Sequence, residues 1–299
     1  MSKIINLLTA NFKYLLVLYF IIQLSLLFKF PIHYTSDSGY YFKLAQDCLS
    51  HGGIYPLPQH LFEDYIVAPL YVNIVTLLLT IFNSSLTIGI FNIVLNTFQI
   101  FLLYKIASKI ISRNVAVISV IMYIFYLNNL GLELLNLTEL LFTVSISCCI
   151  YFYLKKKSWY FLLSGIFCGL SIAIRPLGWA LVISMFALII YKIYKKEVHW
   201  SVPLPILVGI FGIIILFGSI TWLSFGKFVY TSNNGPLNIL MGANDLANGG
   251  YSESVFEKGN AGYIEHRENY AFDQKEQFWL NQSLSWITSH PLKWVLLFP

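Results

Sequence analysis

The sequence predicts an all-α polytopic membrane protein, and three observations carry that prediction. The 299 residues are 57% hydrophobic and 17% aromatic, and their mean hydropathy is +0.68. Only 11% of them are charged, against about 25% in soluble domains. Charge-free stretches recur along the chain, and a membrane helix needs about 20 mostly apolar residues. This composition excludes a soluble enzyme and a disordered chain.

The charges and cysteines exclude two further classes of protein. Nineteen basic residues face 14 acidic ones, a net charge of +5 without a basic cluster, so no nucleic acid is expected as a partner. Three of the four cysteines lie in apolar runs, and only Cys48 lies in a polar loop. This spacing matches neither a disulfide pair nor a zinc site.

The first span follows two basic residues, Lys3 and Lys13, and resembles a signal peptide. No small-residue cleavage site follows Phe28, so the segment is interpreted as a retained helix. Seven spans are predicted in all, at residues 12–30, 86–105, 114–131, 138–154, 158–175, 177–194 and 203–225.

Residues 69–83 form a short apolar segment between Pro69 and Asn83. If this segment does not cross the bilayer, 11 of the 19 basic residues fall on one side. The positive-inside rule makes that side cytoplasmic. We therefore predict a re-entrant or interfacial helix here, a cytoplasmic N-terminus, and acidic residues on the outer face, with Glu197 as the exception.

This topology divides the chain into three parts. Residues 1–225 form the transmembrane module, with a first outer loop at 31–68. Residues 226–290 form an outer polar loop, and residues 291–299 begin a further span, which predicts a chain that is a fragment of a longer protein. The loop 31–68, the link 128–138, the Arg175-Pro176 corner and the loop 226–290 are expected to share the outer face, so the site is expected there, in the plasma or inner membrane.

The first outer loop contains an amphipathic pattern that begins near Asp37. Residues of one side are apolar and those of the other are polar at helical spacing, which predicts a helix on the membrane surface. The residues alone give Asp37 two roles of equal weight, a helix N-cap and a catalytic acid. The apolar side comprises Tyr40, Tyr41, Leu44, Ala45, Cys48 and Leu49, and the polar side Lys43, Gln46, Asp47 and Ser50.

Four motifs of the chain resemble the GT-C glycosyltransferases, above all the family 39 branch of protein mannosyltransferases and aminoarabinose transferases. Their order along the chain also matches that family. They are Asp37 with Tyr40-Tyr41 and Ala45, then Gly52-Gly53-x-Tyr55-Pro56, then Ala68-Pro69-Leu70-Tyr71, and Asn136-Leu137-Thr138-Glu139. The resemblance implies a GT-C-like bundle with outer-face juxtamembrane helices, and Asp37 as the essential acid of the loop.

The resemblance implies transfer of a sugar from a polyprenyl-phosphate donor to a glycan, lipid or protein hydroxyl. Asp37 would act as general base, and one base with a phosphate leaving group implies inversion. The substrate-binding candidates are Tyr40, Tyr41, Lys43, Glu139, Arg175 and Arg267. No particular cofactor is predicted, and a divalent cation, with Glu139 as its ligand, stays open.

Alternative interpretations accompany these residues. Glu139 also suits a helix N-terminus, and Arg175 suits an interface anchor. Gly165 and Gly169 are interpreted as close helix packing. Two other functions stay open: a polymerase or ligase of lipid-linked glycans that relies on His266 and Arg267, and a transporter or flippase of lipid-linked sugars, which would place charges within its spans.

Overall fold

The computed structural model describes residues 10–30, 32, 34, 36–82, 84–126, 131, 137–250 and 252–297. This part of the chain folds into α-helices and short 3₁₀ turns without a strand, so the predicted all-α class is confirmed. The α-helices are α1 Phe12–Lys29, α2 Ser36–His51, α3 Pro69–Phe82, α4 Leu86–Ile110, α5 Arg113–Ile124, α6 Glu139–Tyr153, α7 Ser158–Ile174, α8 Gly178–Tyr194, α9 Pro203–Phe225, α10 Gly235–Gly242, α11 Phe272–Ser289 and α12 Pro291–Leu296.

The helices α1 and α4 to α9 coincide with the seven predicted spans. By length and composition, α1, α4 and α9 suit a membrane crossing, while α5 to α8 are shorter apolar helices. Helix α5 ends at Ile124 and a turn follows, so it is shorter than the predicted segment 114–131. The rest of that segment, apart from Gly131, lies outside the described residues, as does Asn136 of the fourth motif.

Helix α7 lies at the centre of the bundle. It packs against α6, α8 and α9, and it also contacts α3. Small residues let the backbones approach: a methyl group added to Gly165 or Gly209 would collide with the backbone of the facing helix. This confirms the predicted role of Gly165 in close helix packing. Gly169, likewise, faces Ile210 and Ile213 of α9.

Helix α2 has the predicted amphipathic pattern. Leu44, Ala45 and Cys48 are buried, and Lys43 and Gln46 are exposed. The buried side packs on α3 and on residues 55–68, so protein covers it rather than lipid. This contact fixes the start of α2 relative to α3.

The segment 226–290 contains more helix than the sequence indicated. Helix α9 stops at Gly226, which has a positive φ of 71° that favours glycine. After an extended stretch, α10 packs against α11. Helix α11 follows a polar, turn-rich stretch and begins at Phe272. The first turn of α11 therefore lies close to the end of α9, where Phe225 contacts Phe272.

Candidate active site

A cavity of about 840 Å³ lies where four distant parts of the chain meet. All four segments that were expected to share the outer face contribute to it. Their meeting in one cavity supports the predicted grouping, and the side of the membrane stays a prediction. The lining includes Asp37, Tyr41 and Ala68 of the first loop, Thr138 before α6, Ile174 to Leu177 after α7, residues 228–236 and Asn238, and Phe272 and Glu276 of α11.

Asp37 lines this cavity from the first turn of α2. It is the second residue of that helix, and its side chain is exposed. A carboxylate in the first turn interacts favourably with the positive end of the helix dipole. Asp37 therefore lies inside the helix rather than at the predicted N-cap position, and its oxygens are accessible to a molecule in the cavity.

Tyr41 lies one turn further along α2 and also lines the cavity. Burial raises the pKa of its hydroxyl to about 12, and the carboxylates of Asp37 and Glu139 add to the effect. The ring meets the Tyr71 ring edge-on, with 5.3 Å between the centroids. Tyr41 is therefore a rigid, neutral hydroxyl at physiological pH.

Glu139 and Arg175 form an ion pair that joins α6 to the end of α7. Arg175 Nη1 donates to Glu139 Oε1 over 2.7 Å, and each side chain is about two-fifths exposed, at 41% and 42%. A pair this exposed adds at most about 1 kcal/mol to stability. Arg175 carries the only positive charge among the described residues that line the cavity.

Four of the predicted substrate-binding residues do not line the cavity. One of them is Glu139, which reaches it only through its contact with Arg175. The Tyr40 hydroxyl donates to Glu63 Oε2 over 3.3 Å. Lys43 is exposed two residues after Tyr41, which places it on the other side of the helix. Arg267 Nε donates to Asp64 Oδ1 over 2.6 Å.

The contacts of Arg267 explain why it is held away from the cavity. Its guanidinium lies 4.8 Å from the ring centre of Phe256 and 4.9 Å from that of Trp279. Two aromatic rings and a carboxylate surround the side chain, so it fastens the first loop to the outer segment. The neighbouring His266 and Glu268 side chains are exposed, whereas Arg267 is largely covered by these contacts.

The structure adds two residues that the sequence did not single out, Asn233 and Glu276. Ile66 N donates to Asn233 Oδ1 over 2.6 Å, and Asn233 N donates to Ile66 O over 3.1 Å. Asn233 Nδ2 in turn donates to Glu276 Oε2 over 3.1 Å. Burial raises the pKa of Glu276, and the Asp273 carboxylate raises it further, while the Asn233 bond opposes them. No local motif marks these residues.

The described residues do not fit a resident metal ion. Among them, no group of three or more His, Cys, Asp or Glu side chains is placed to hold one. Glu139 already gives Oε1 to Arg175. A cation at Glu139 would have to compete with that guanidinium.

One comparison with known proteins gives a match. A family model described as dolichyl-phosphate-mannose-protein mannosyltransferase matches residues 67–222, which are 156 of the 299 residues. No curated protein and no solved structure matches. The matched range includes Glu139 and Arg175, whereas Asp37 and Glu276 lie outside it. The match agrees with the resemblance that the motifs indicated.

Proposed function

The chain belongs to the dolichyl-phosphate-mannose-protein mannosyltransferase family, and we propose that it transfers a sugar from a polyprenyl-phosphate donor to an acceptor hydroxyl in the Asp37 cavity. Family membership supports a membrane glycosyltransferase with a lipid-linked donor. The observation that carries the finer proposal is that Asp37 and Arg175 line one cavity of about 840 Å³. Small-molecule sites typically measure about 300–1,000 Å³.

Asp37 is the general base of the proposed reaction. The acceptor oxygen attacks the anomeric carbon, a new glycosidic bond forms, and the hydroxyl proton passes to the Asp37 carboxylate. The bond between the anomeric carbon and the phosphate oxygen breaks, and its electron pair leaves with the polyprenyl phosphate. Because one displacement occurs, the configuration at the anomeric carbon inverts.

Arg175 binds the phosphate of the donor and stabilises the charge that develops as it leaves. A guanidinium matches phosphate oxygens with two parallel hydrogen bonds, and a preorganised cation is worth most where new charge appears. Glu139 acts through Arg175: its 2.7 Å contact fixes the direction of the guanidinium. It is therefore a positioning residue.

The reaction takes place on the outer face in this proposal. The basic residues of the links near Lys105, Lys155 and Lys195 favour the cytoplasmic side by the positive-inside rule. The cavity is lined by the other set of links. The acceptor is a hydroxyl of a glycan, a lipid or a protein that reaches this face.

The two other candidate functions gain no specific support. A glycan polymerase or ligase was expected to use Arg267, and that side chain is engaged by Asp64, Phe256 and Trp279. A transporter or flippase was expected to carry ionisable residues inside its spans. The described parts of α6, α7 and α9 carry only Glu139, at the first residue of α6.

The test is sugar transfer in membranes that contain matched amounts of wild type, Asp37→Asn or Glu139→Gln. A panel of polyprenyl-phosphate sugars serves as donors, with mannose and aminoarabinose among them. Asp37→Asn is expected to lower the turnover about 10²–10⁴-fold while donor binding persists, because it removes a general base. Asp47→Asn on the same helix is the matched control, since Asp47 does not line the cavity.

The results separate the roles of the two acidic residues. Glu139→Gln is expected to weaken donor binding, because the loss of its charge leaves Arg175 less well oriented. Wild-type turnover by Asp37→Asn would contradict the proposal and leave Asp37 as a helix-stabilising residue. An equal loss in Asp47→Asn would show that the effect comes from the fold of α2.

A further inference from the structure

The cavity has two chemically different walls. One wall carries the charged groups Asp37 and Arg175. The other polar lining residues come from the segment 231–238 and the start of α11, and we call this set the amide wall. Its members offer neutral hydrogen-bonding groups together with a single carboxylate: Thr231, Ser232, Asn233, Asn234, Asn238 and Glu276.

Glu276 is held in one orientation on this wall. Asn233 donates to Oε2 over 3.1 Å, and Asn233 is itself fixed by two hydrogen bonds to the backbone of Ile66. Within the described residues, Glu276 has no ion pair and no second hydrogen-bond partner. A half-buried carboxylate of this kind has lone pairs left for a ligand that donates hydrogen bonds.

The charges in the cavity favour one position for a phosphate. Arg175 attracts a phosphate, whereas the carboxylates of Asp37 and Glu276 repel it. A ligand that carries a phosphate at one end and hydroxyl groups at the other therefore has one favourable orientation. Its phosphate lies at Arg175, and its hydroxyl groups reach the amide wall.

We propose that the amide wall binds the hydroxyl groups of a sugar unit and that Glu276 is its specificity-determining residue, because its fixed carboxylate accepts hydrogen bonds from sugar hydroxyls. This rests on the proposed function, since it assumes a sugar substrate in the cavity. The sugar is that of the lipid-linked donor or that of an acceptor glycan. Both present the same hydroxyl chemistry, and separate binding measurements distinguish them.

The experiment measures equilibrium binding to the full chain in detergent, in an Asp37→Asn background that prevents turnover. Three probes are used: polyprenyl-phosphate mannose, bare polyprenyl phosphate and methyl mannoside. Glu276→Gln keeps an oxygen that accepts from Asn233 but removes the charge. It is expected to raise the Kd of a sugar-carrying probe about ten- to one-hundredfold, the loss of one hydrogen bond to a charged group.

Bare polyprenyl phosphate is the internal control, because it reaches Arg175 without a sugar. Its Kd is expected to stay within about twofold of the Asp37→Asn parent. Glu257→Gln, an exposed carboxylate outside the cavity on the same outer segment, is the matched variant and is expected to change none of the three Kd values. Arg175→Gln is expected to weaken both phosphate-carrying probes.

Asn238→Ala provides a second variant that does not touch the fixed carboxylate. The Asn238 side chain has no hydrogen bond within the described residues, and it lies on the exposed end of the amide wall. Its loss is expected to raise the Kd of the sugar-carrying probe about two- to tenfold, as for a neutral hydrogen bond. Thermal unfolding of both variants separates a binding effect from a damaged fold.

The outcomes separate this proposal from the proposed function. An increase confined to the lipid-linked sugar assigns the wall to the donor, and an increase confined to methyl mannoside assigns it to an acceptor glycan. Unchanged Kd values for both sugars in Glu276→Gln and Asn238→Ala overturn the proposal, even if Asp37 is the base. Raised Kd values support this proposal even where Asp37→Asn leaves turnover unchanged, because each probe is measured alone and no transfer occurs without the second substrate.

Discussion

A methyl group at Gly165 is expected to push α7 away from α9 and to damage both walls of the cavity. The added carbon would lie 2.8 Å from Ile206 C and Cα, and closer still to the Ile206 carbonyl oxygen. Carbon atoms in contact are separated by about 3.5–4.0 Å. The backbone of Ile206 cannot rotate away, so the helices must separate locally by about 1 Å.

The expected cost follows from that overlap. Overpacking a tight contact lowers the free energy of unfolding by about 1–3 kcal/mol. The better helix propensity of alanine offsets at most about 1 kcal/mol of this loss. Gly165→Ala is therefore expected to lower the thermal unfolding temperature and to reduce sugar transfer. Transfer falls because α7 ends beside Arg175 and α9 leads into the amide wall.

Gly212→Ala is the matched control, because Gly212 is an exposed glycine in the middle of α9. No described atom outside its own helix lies within 4 Å of a methyl group added there. The pair is compared by heating detergent-solubilised protein and measuring the folded fraction, followed by the transfer assay. If Gly165→Ala unfolds at the same temperature as Gly212→Ala and retains sugar transfer, the close approach of α7 and α9 does not determine the geometry of the site.

Two further perturbations follow from buried groups of α11. Lys275, 1% exposed, donates from Nζ to the carbonyl oxygens of Phe62 and Glu63 over 2.8 and 3.2 Å. Lys275→Met is expected to destabilise the fold by roughly 1.5–3 kcal/mol per charged hydrogen bond that is lost. It should also expose residues 53–67 to limited proteolysis, and an unchanged digestion pattern would contradict this. The pKa of Glu276 is raised in the folded protein, so the fold favours the protonated carboxyl group. The stability that this group contributes is present at low pH and is lost as pH rises through the raised pKa. The unfolding temperature of Glu276→Gln relative to wild type should therefore increase with pH above about 4.5, and a difference that is constant with pH would refute it.

The sequence predicts the helical frame well because local patterns determine it. The apolar residues of α2 recur at helical spacing, and Leu44 and Cys48 are buried as that spacing predicts. The same reasoning fails for side chains whose partners are far away in the chain. Arg267 has the charge of a phosphate ligand, yet its partner Asp64 lies 203 residues earlier. Glu276 has no motif, since its place in the cavity depends on Asn233.

The cavity is lined partly by the helical bundle and partly by the loops, and the family match includes the bundle part of the lining. The matched range 67–222 contains α3 to α8, nearly all of α9, and the ion pair of Glu139 and Arg175. Asp37 precedes this range, and Glu276 follows it. Both reach the cavity because the first loop is fastened to the outer segment by Asn233 on Ile66 and by Lys275 on Phe62 and Glu63. These long-range hydrogen bonds, rather than the spans themselves, bring the proposed base and the amide wall to Arg175, the proposed phosphate ligand.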